Sequence, residues 1–341
     1  MRLSFSARSA FVAALLLAEP AAAADAEDCA SDTPAVSIPA CSRIIAQARD
    51  SNDKIAEAFA NRGKAYMLGN QFDRAIADLD EALRRKPAHG DARHNRGVVY
   101  FQKGQNDRAL ADFDEVVRLY PREAESRFAR GRIYHAMGQI DRAIADFDAN
   151  LSIDPGHVDA LISRGTLYGL KGQHAQALKD YDEAIRIDPN NADAYSNRGN
   201  LYVMTSRFPQ AIADLDQALK LDPNNEMAYL NRGMSYLFQQ QYDRAISDFD
   251  RALRLNPRSA HLHVQRGTAY FFKKQPDRAL SDLNQAIRLD PNSLQAYKLR
   301  GGIHSASGRR DQAIADFRKA LALDPADESV KKSLRELGAT P

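Results

Sequence analysis

The stretch from Asn61 to Leu83, NRGKAYMLGNQFDRAIADLDEAL, decides the fold because it does not occur once. It returns from Asn95 as NRGVVYFQKGQNDRALADFDEVV and from Asn231 as NRGMSYLFQQQYDRAISDFDRAL. Outward from it, glycines stand at 63, 97, 131, 165, 199, 233, 267 and 301, 34 residues apart without an insertion. A tyrosine follows three residues after each, from Tyr66 to Tyr270, until His304 breaks the row in the eighth copy. Alanine lies twelve residues past each glycine, from Ala75 to Ala313, and proline closes every copy, from Pro87 to Pro325. Such a fixed period marks one supersecondary unit that buries its apolar face only against its neighbours.

Within a copy, Tyr229, Gly233 and Tyr236 share one helical face, and Ile246, Phe249 and Leu253 share another. The Gln239–Gln241 break joins the two halves, and Pro257 stops the second from running on. The glycine lets two helices approach closely, so each copy is predicted to be a helical hairpin and the chain all-α. These residues closely resemble the tetratricopeptide repeat family over residues 56–327, since glycine, alanine and proline recur in all eight copies. The resemblance implies a right-handed superhelical solenoid of antiparallel hairpins, with a concave groove lined by the first helix of each.

The ends are read as caps, as a soluble solenoid requires. Within an N-terminal segment of residues 25–55, Pro39 to Ala48 places Ala40, Ile44 and Ala48 on one stripe and resembles a lone second helix covering the first repeat. In residues 328–341, Val330, Leu334 and Leu337 form a second apolar stripe, which Gly338 ends.

Ahead of these, residues 1–24 have Arg2 and Arg8, an apolar run from Ala10 to Ala18, and small residues near Ala24. That is the layout of a secretory signal peptide, with cleavage expected after Ala24 and a periplasmic or secreted product. An unremoved anchor is the alternative, against which Glu19 and Pro20 speak. The two cysteines, Cys29 and Cys41, follow the leader closely, and in an oxidising compartment they are expected to form a structural disulfide. Two thiols with no histidine before His89 make a poor metal site, and Glu27 and Asp28 are wrong for lipid attachment at Cys29.

Of the 341 residues, 44% are hydrophobic and 27% charged, ordinary values for a soluble folded protein. Lys and Arg number 47 against 45 Asp and Glu, a net +2, so no nucleic acid or anionic membrane is expected as partner. No stretch approaches the length of a membrane helix, and no stable membrane insertion is expected.

Every copy carries arginine before its glycine: Arg62, Arg96, Arg130, Arg164, Arg198, Arg232, Arg266 and Arg300. Each also carries aspartate sixteen residues later: Asp78, Asp112, Asp146, Asp180, Asp214, Asp248, Asp282 and Asp316. The family more often has a leucine-like residue at the arginine position. Two charges recurring together, one beside the packing glycine, are expected to pair within or across hairpins, because a lone buried charge is costly. An arginine ladder for anionic ligands is the alternative.

Catalytic signatures are missing. His261 and His263 point to different helical faces, and no HExxH, CxxC or phosphate-cradling loop occurs. The repeated DFD lacks the turning glycine of a calcium loop. The sequence therefore predicts a binding scaffold, not an enzyme, with no metal and no cofactor.

By the resemblance, the groove face holds the residues three before the glycine and one, four and five after it. In the sixth copy these are Leu230, Met234, Leu237 and Phe238, extended by Met227; the seventh adds Val264, Phe271 and Phe272, and the fifth Val203 and Met204. Partner contact is the favoured reading for Leu230, Met234, Leu237 and Phe271. Packing against neighbouring hairpins weighs equally for Met204, Phe238 and Phe272. Asn61, Asn95, Asn197 and Asn231 recur two before the glycine, similar to the asparagine ladder of O-linked N-acetylglucosamine transferases, which clasps extended peptide backbone. Ala60, His94 and Phe128 stand where a lysine clamp for a C-terminal carboxylate would need lysine. The expected role is an exported adaptor holding a protein or peptide segment during assembly or regulation of an envelope complex. The alternative is a self-associating structural protein, a homo-oligomer.

Overall fold

A computed structural model describes residues 18–47 and 51–340, with side chains from residue 23 on. Among the described residues there are nineteen helices and no strand. Most of the expected leader, and Ala48 of the expected N-terminal stripe, lie outside the described residues. Two compact units divide the chain between Arg164 and Gly165, inside one helix.

The first unit opens with α1 (Ala18–Cys29) and α2 (Pro34–Ala46). Three hairpins follow: α3 (Asn52–Leu68) with α4 (Phe72–Arg85), α5 (Gly90–Gln102) with α6 (Asn106–Leu119), and α7 (Ala124–Ala136) with α8 (Ile140–Ile153). The helix containing the division is α9 (Val158–Leu170). The second unit continues with α10 (His174–Ile187), then α11 (Ala192–Met204) with α12 (Phe208–Leu221), and α13 (Glu226–Phe238) with α14 (Tyr242–Leu255). It ends with α15 (Ala260–Phe272) and α16 (Pro276–Leu289), α17 (Leu294–Ala306) and α18 (Arg310–Leu323), and α19 (Glu328–Glu336).

Why the period folds this way is visible at the glycine. A methyl group added at Gly233 would meet Phe249 Cε1 at 2.7 Å, so the Phe249 ring of α14 packs directly on the bare backbone of α13, in the space a side chain there would take. Phe113 and Phe147 in the first unit, and Leu215, Phe249 and Leu283 in the second, fill the same place over their glycines and are fully or almost fully buried. Burial of each such side chain contributes about 1.5–3 kcal/mol. The alanines twelve past the glycine are completely buried, which keeps the paired helices close.

Turn chemistry fixes where each helix stops. The residue joining the halves takes left-handed φ: glycine at Gly104, Gly138, Gly172 and Gly308, but Asn70, Ser206, Gln240 and Lys274 elsewhere. At the other turn, Asp154, Asp188, Asp222, Asp290 and Asp324 each accept the backbone N–H two residues on, across the closing proline. Asn191 and Asn225 then cap α11 and α13 by accepting the N–H of Ala194 and Ala228, both at 2.9 Å.

At the N-terminal end α2 begins at Pro34 and continues through Pro39, so the segment read from Pro39 is its second half. The helix is not alone, since α1 packs on it. The expected cleavage point after Ala24 falls within α1. Cys29 and Cys41 are joined by a disulfide with their Cα atoms 4.7 Å apart, and both are buried with Ala40 and Ala58. Ser37 Oγ donates to Cys29 O at 2.8 Å. At the C-terminal end Val330 and Leu334 of α19 bury against Tyr297 and Phe317, and Gly338 turns the chain with φ +67°.

Candidate functional site

The arginine row is engaged inside the protein. Arg232 Nε and Nη2 donate to the two carboxylate oxygens of Asp248 at 2.8 and 2.7 Å, a bidentate bond between the helices of one hairpin. Its third nitrogen, Nη1, donates to Asp216 of the preceding repeat at 2.6 Å. The same pair of bonds recurs at Arg96 (Asp112, Asp80), Arg130 (Asp146, Asp114), Arg198 (Asp214, Asp182) and Arg266 (Asp282, Asp250). Arg164 Nη1 donates to Asp148 at 2.7 Å, and Asp180 is buried.

The ends depart from the pattern in an orderly way. Arg62 pairs with Asp78 but has no repeat before it, and its Nη1 donates to Ser42 Oγ of α2 at 2.9 Å. Arg300 pairs with Asp316 and donates to Asn284. Sequence reasoning missed this second bond. The signal was present in the DxD triplets, whose first aspartate serves its own hairpin and whose third residue serves the next. Hydrogen bonding to the aspartates raises the arginine pKa above its ordinary value at Arg96, Arg130, Arg198 and Arg266, and burial opposes it. These guanidiniums remain charged at any working pH.

The expected groove residues divide differently from the sequence reading. Leu230, favoured for partner contact, and Val264, placed on the groove face, are buried, at 7% and 2% exposed. Leu230 lies in a cluster with Ile246, Phe249 and Leu262, and Met234 and Leu237 pack partly against it. Phe271 packs likewise on the cluster containing Val264 and Leu283. The residue three before the glycine faces its own hairpin and the following helix, which cover it. Val203 is half-buried against the α12 core.

The residue five past the glycine has no such cover. Leu170, Met204, Phe238 and Phe272 are 64, 58, 60 and 52% exposed, and Met227 is 52% exposed. Phe238 stacks on Phe208 with ring centroids 5.1 Å apart and planes 13° apart. Phe272 stacks on Tyr242 at 6.0 Å and 11°.

The asparagines are not equivalent. Asn231 is buried, Asn197 Nδ2 donates to Asp193 O of its own helix at 2.8 Å, and Asn61 and Asn95 are half-buried.

A cavity of about 790 Å³ lies in the first unit at the starts of α5 and α7. Val116, Leu119 and Tyr120 supply its apolar walls, with Glu57, Asp91, Lys86 and Arg122 bringing both signs of charge. His94 Nδ1 lies 2.8 Å from Ser126 Oγ, and burial lowers its pKa, which favours the neutral ring. Tyr120 donates its hydroxyl to Ala88 O at 2.5 Å. None of the apolar wall residues was marked as a binding site by the sequence reading, because they are brought together from helix ends and turns of successive repeats. No group of three or more metal-ligating side chains is assembled among the described residues.

Models of the tetratricopeptide repeat match residues 60–124 and 264–328, 97–165, and 192–225 with 227–259. A further TPR repeat model matches residues 165–206. No curated protein matches the chain in sequence. Among solved structures, it is similar to a chain of the APC/C hetero-tetramer Cut9–Hcn1, with TM-score 0.62 and 19% identity. That match covers 88% of this chain and 58% of the other, so this chain spans little more than half of that protein's length. The C-terminal part of a TPR repeat-containing protein from Cytophaga hutchinsonii matches with TM-score 0.52 and 19% identity, over 70% of this chain and 98% of that one. At these identities the likeness is one of fold.

Proposed function

The chain belongs to the tetratricopeptide repeat family, and from that premise we propose that it is an exported, non-catalytic scaffold. It binds a segment of a partner protein on the first-helix surface of its second unit and serves the assembly or regulation of an envelope complex. The observation that carries this reading is the row of exposed Leu170, Met204, Phe238 and Phe272. Single exposed apolar side chains are ordinary, whereas a row at one repeat position marks an interaction surface.

Export is supported by the Cys29–Cys41 bridge, a bond that persists in oxidising compartments. A scaffold role is supported by the arginines and aspartates, whose charges are spent on one another. No helix among the described residues is long and apolar enough to cross a membrane.

The test is photocrosslinking in the native envelope from position 238, with exposed Arg251 as the control position. Position 238 is preferred to Met234, which is partly covered by the hairpin core. Capture of one foreign protein at position 238 alone supports the scaffold. Capture of the same chain transfers the surface to self-association, and equal background at both positions removes the reading.

A further inference from the structure

The exposed row has a geometry that narrows its partner, given the scaffold reading on which this step rests. Its members end the first helices of repeats four to seven, one per repeat, and all lie in the second unit. The same position holds Leu68, 47% exposed, in repeat one, but Gln102, Ala136 and Ala306 in repeats two, three and eight, so the unbroken row is local to repeats four to seven. Phe208 and Tyr242 double the row with stacked rings, giving flat aromatic platforms, and the polar turn residues Ser206, Arg207 and Gln240 lie beside them in the chain.

A second copy of this chain is a poor fit by area. Four large side chains a little over half exposed offer on the order of 400 Å². Stable protein–protein interfaces bury about 800 Å² on each partner. A small apolar area suffices when the ligand is already ordered, since little conformational entropy is then lost on binding.

An extended β segment is also a poor fit. The described residues are helices and turns and offer no strand edge with which a peptide could pair. A polyproline II segment has no such need, because its backbone stays solvated. Its period agrees as well. First helices of consecutive repeats touch directly, α11 on α13 and α13 on α15. Packed helices stand about 8–10 Å apart. A polyproline II helix returns to the same face every third residue, after about 9.3 Å. An amphipathic α-helix presents apolar side chains about every 5.4 Å, a shorter repeat than the spacing of packed helices that carry the platforms.

We infer that the row binds a proline-rich segment of the partner in polyproline II conformation, with one apolar ring of the ligand on each aromatic platform at Phe238 and Phe272. Proline-rich ligands dock on aromatic-lined grooves by the same physics.

The protein contains no tryptophan, so a peptide carrying one can be followed without background. The probe is a synthetic peptide of four Pro-Pro-Leu triplets ending in tryptophan, titrated with the full mature chain and read by emission and anisotropy. Its partner probe replaces every proline with alanine and favours helix. The expected result is saturable binding of the proline peptide, at least tenfold weaker binding of the alanine peptide, and a tenfold loss in Phe238→Ala or Phe272→Ala. Arg251→Ala should bind as the unaltered protein does, and thermal melting checks that every variant is folded.

Equal or tighter binding of the alanine peptide overturns the inference in favour of a helical partner. No binding of the proline peptide, or binding indifferent to both ring variants, also overturns it. Capture of a foreign protein from position 238 in that event leaves the scaffold reading standing, so the two failures are separable.

Discussion

Asp248 is 4% exposed, and burial alone drives its carboxyl toward the neutral form, raising its pKa. Two hydrogen bonds from Arg232 oppose that drive and hold the ion pair. Removing Asp248 leaves Arg232 only its bond to Asp216 and strips Nε and Nη2 of their acceptor, and breaking a buried pair in this way costs more than the pair is worth. Asp248→Ala is therefore expected to lower stability by about 3–5 kcal/mol in urea unfolding, whereas Arg232→Met with Asp248→Leu together should cost less. A loss in Asp248→Ala no greater than that of an exposed substitution would refute this account. His304 stands where seven repeats have tyrosine; it is buried at 9% exposure, and its Nδ1 has no hydrogen-bond partner among the described residues. Burial lowers its pKa below the ordinary 6.5, so the unfolded chain takes up the proton more readily than the folded one. The stability it contributes is present above about pH 6.5 and lost as pH falls through the window below. His304→Tyr should flatten that acid-side loss of melting temperature between pH 7.5 and 5.5.

At the scale of the helical hairpin, the turn between the halves offers a second test. Gln240 and Lys274 adopt left-handed φ of 61° and 62° at the place where four other repeats have glycine. A side chain there costs about 1–2 kcal/mol in backbone strain, partly offset by the entropy that glycine loses on folding. Gln240→Gly and Lys274→Gly should each stabilise by about 0.5–1 kcal/mol in chemical denaturation, and destabilisation would show that these turns carry no such strain. The hairpin itself was legible in the sequence because glycine, the ring over it and the closing proline recur at fixed offsets. Exposure of the groove side chains was not. A helical face tells which residues point the same way, but Leu230 is buried in a cluster that includes Leu262 of the next repeat, and Phe238 is left open because its helix ends there. The third residue of DxD escaped for the same reason, since its partner belongs to the next repeat.

For the whole molecule, stability is a sum of local terms, because each repeat touches chiefly its neighbours. Losing the Cys29–Cys41 bridge should therefore be felt near α2 and α3 and not in α13 to α18. Reduction releases a short loop, worth about 3 kcal/mol in the chain-entropy model. Hydrogen exchange under native conditions should quicken in residues 25–85 on reduction, with residues 226–323 unchanged. Uniform acceleration along the chain would mean that the array unfolds as one cooperative body.

The arginine clamps also have a grammar of addition. An internal repeat offers an arginine to the unit before it and an aspartate to the unit after it, as Arg232 and Asp250 do. A duplicated internal copy would find both neighbours ready, and a deleted one would leave the rest still matched. The eighth copy is different, because Arg318 stands where its predecessors keep the outgoing acceptor, from Asp80 to Asn284. A ninth copy added there would set its own arginine against Arg318, like charge to like. The length of this chain is open to editing in its middle and closed at its tail.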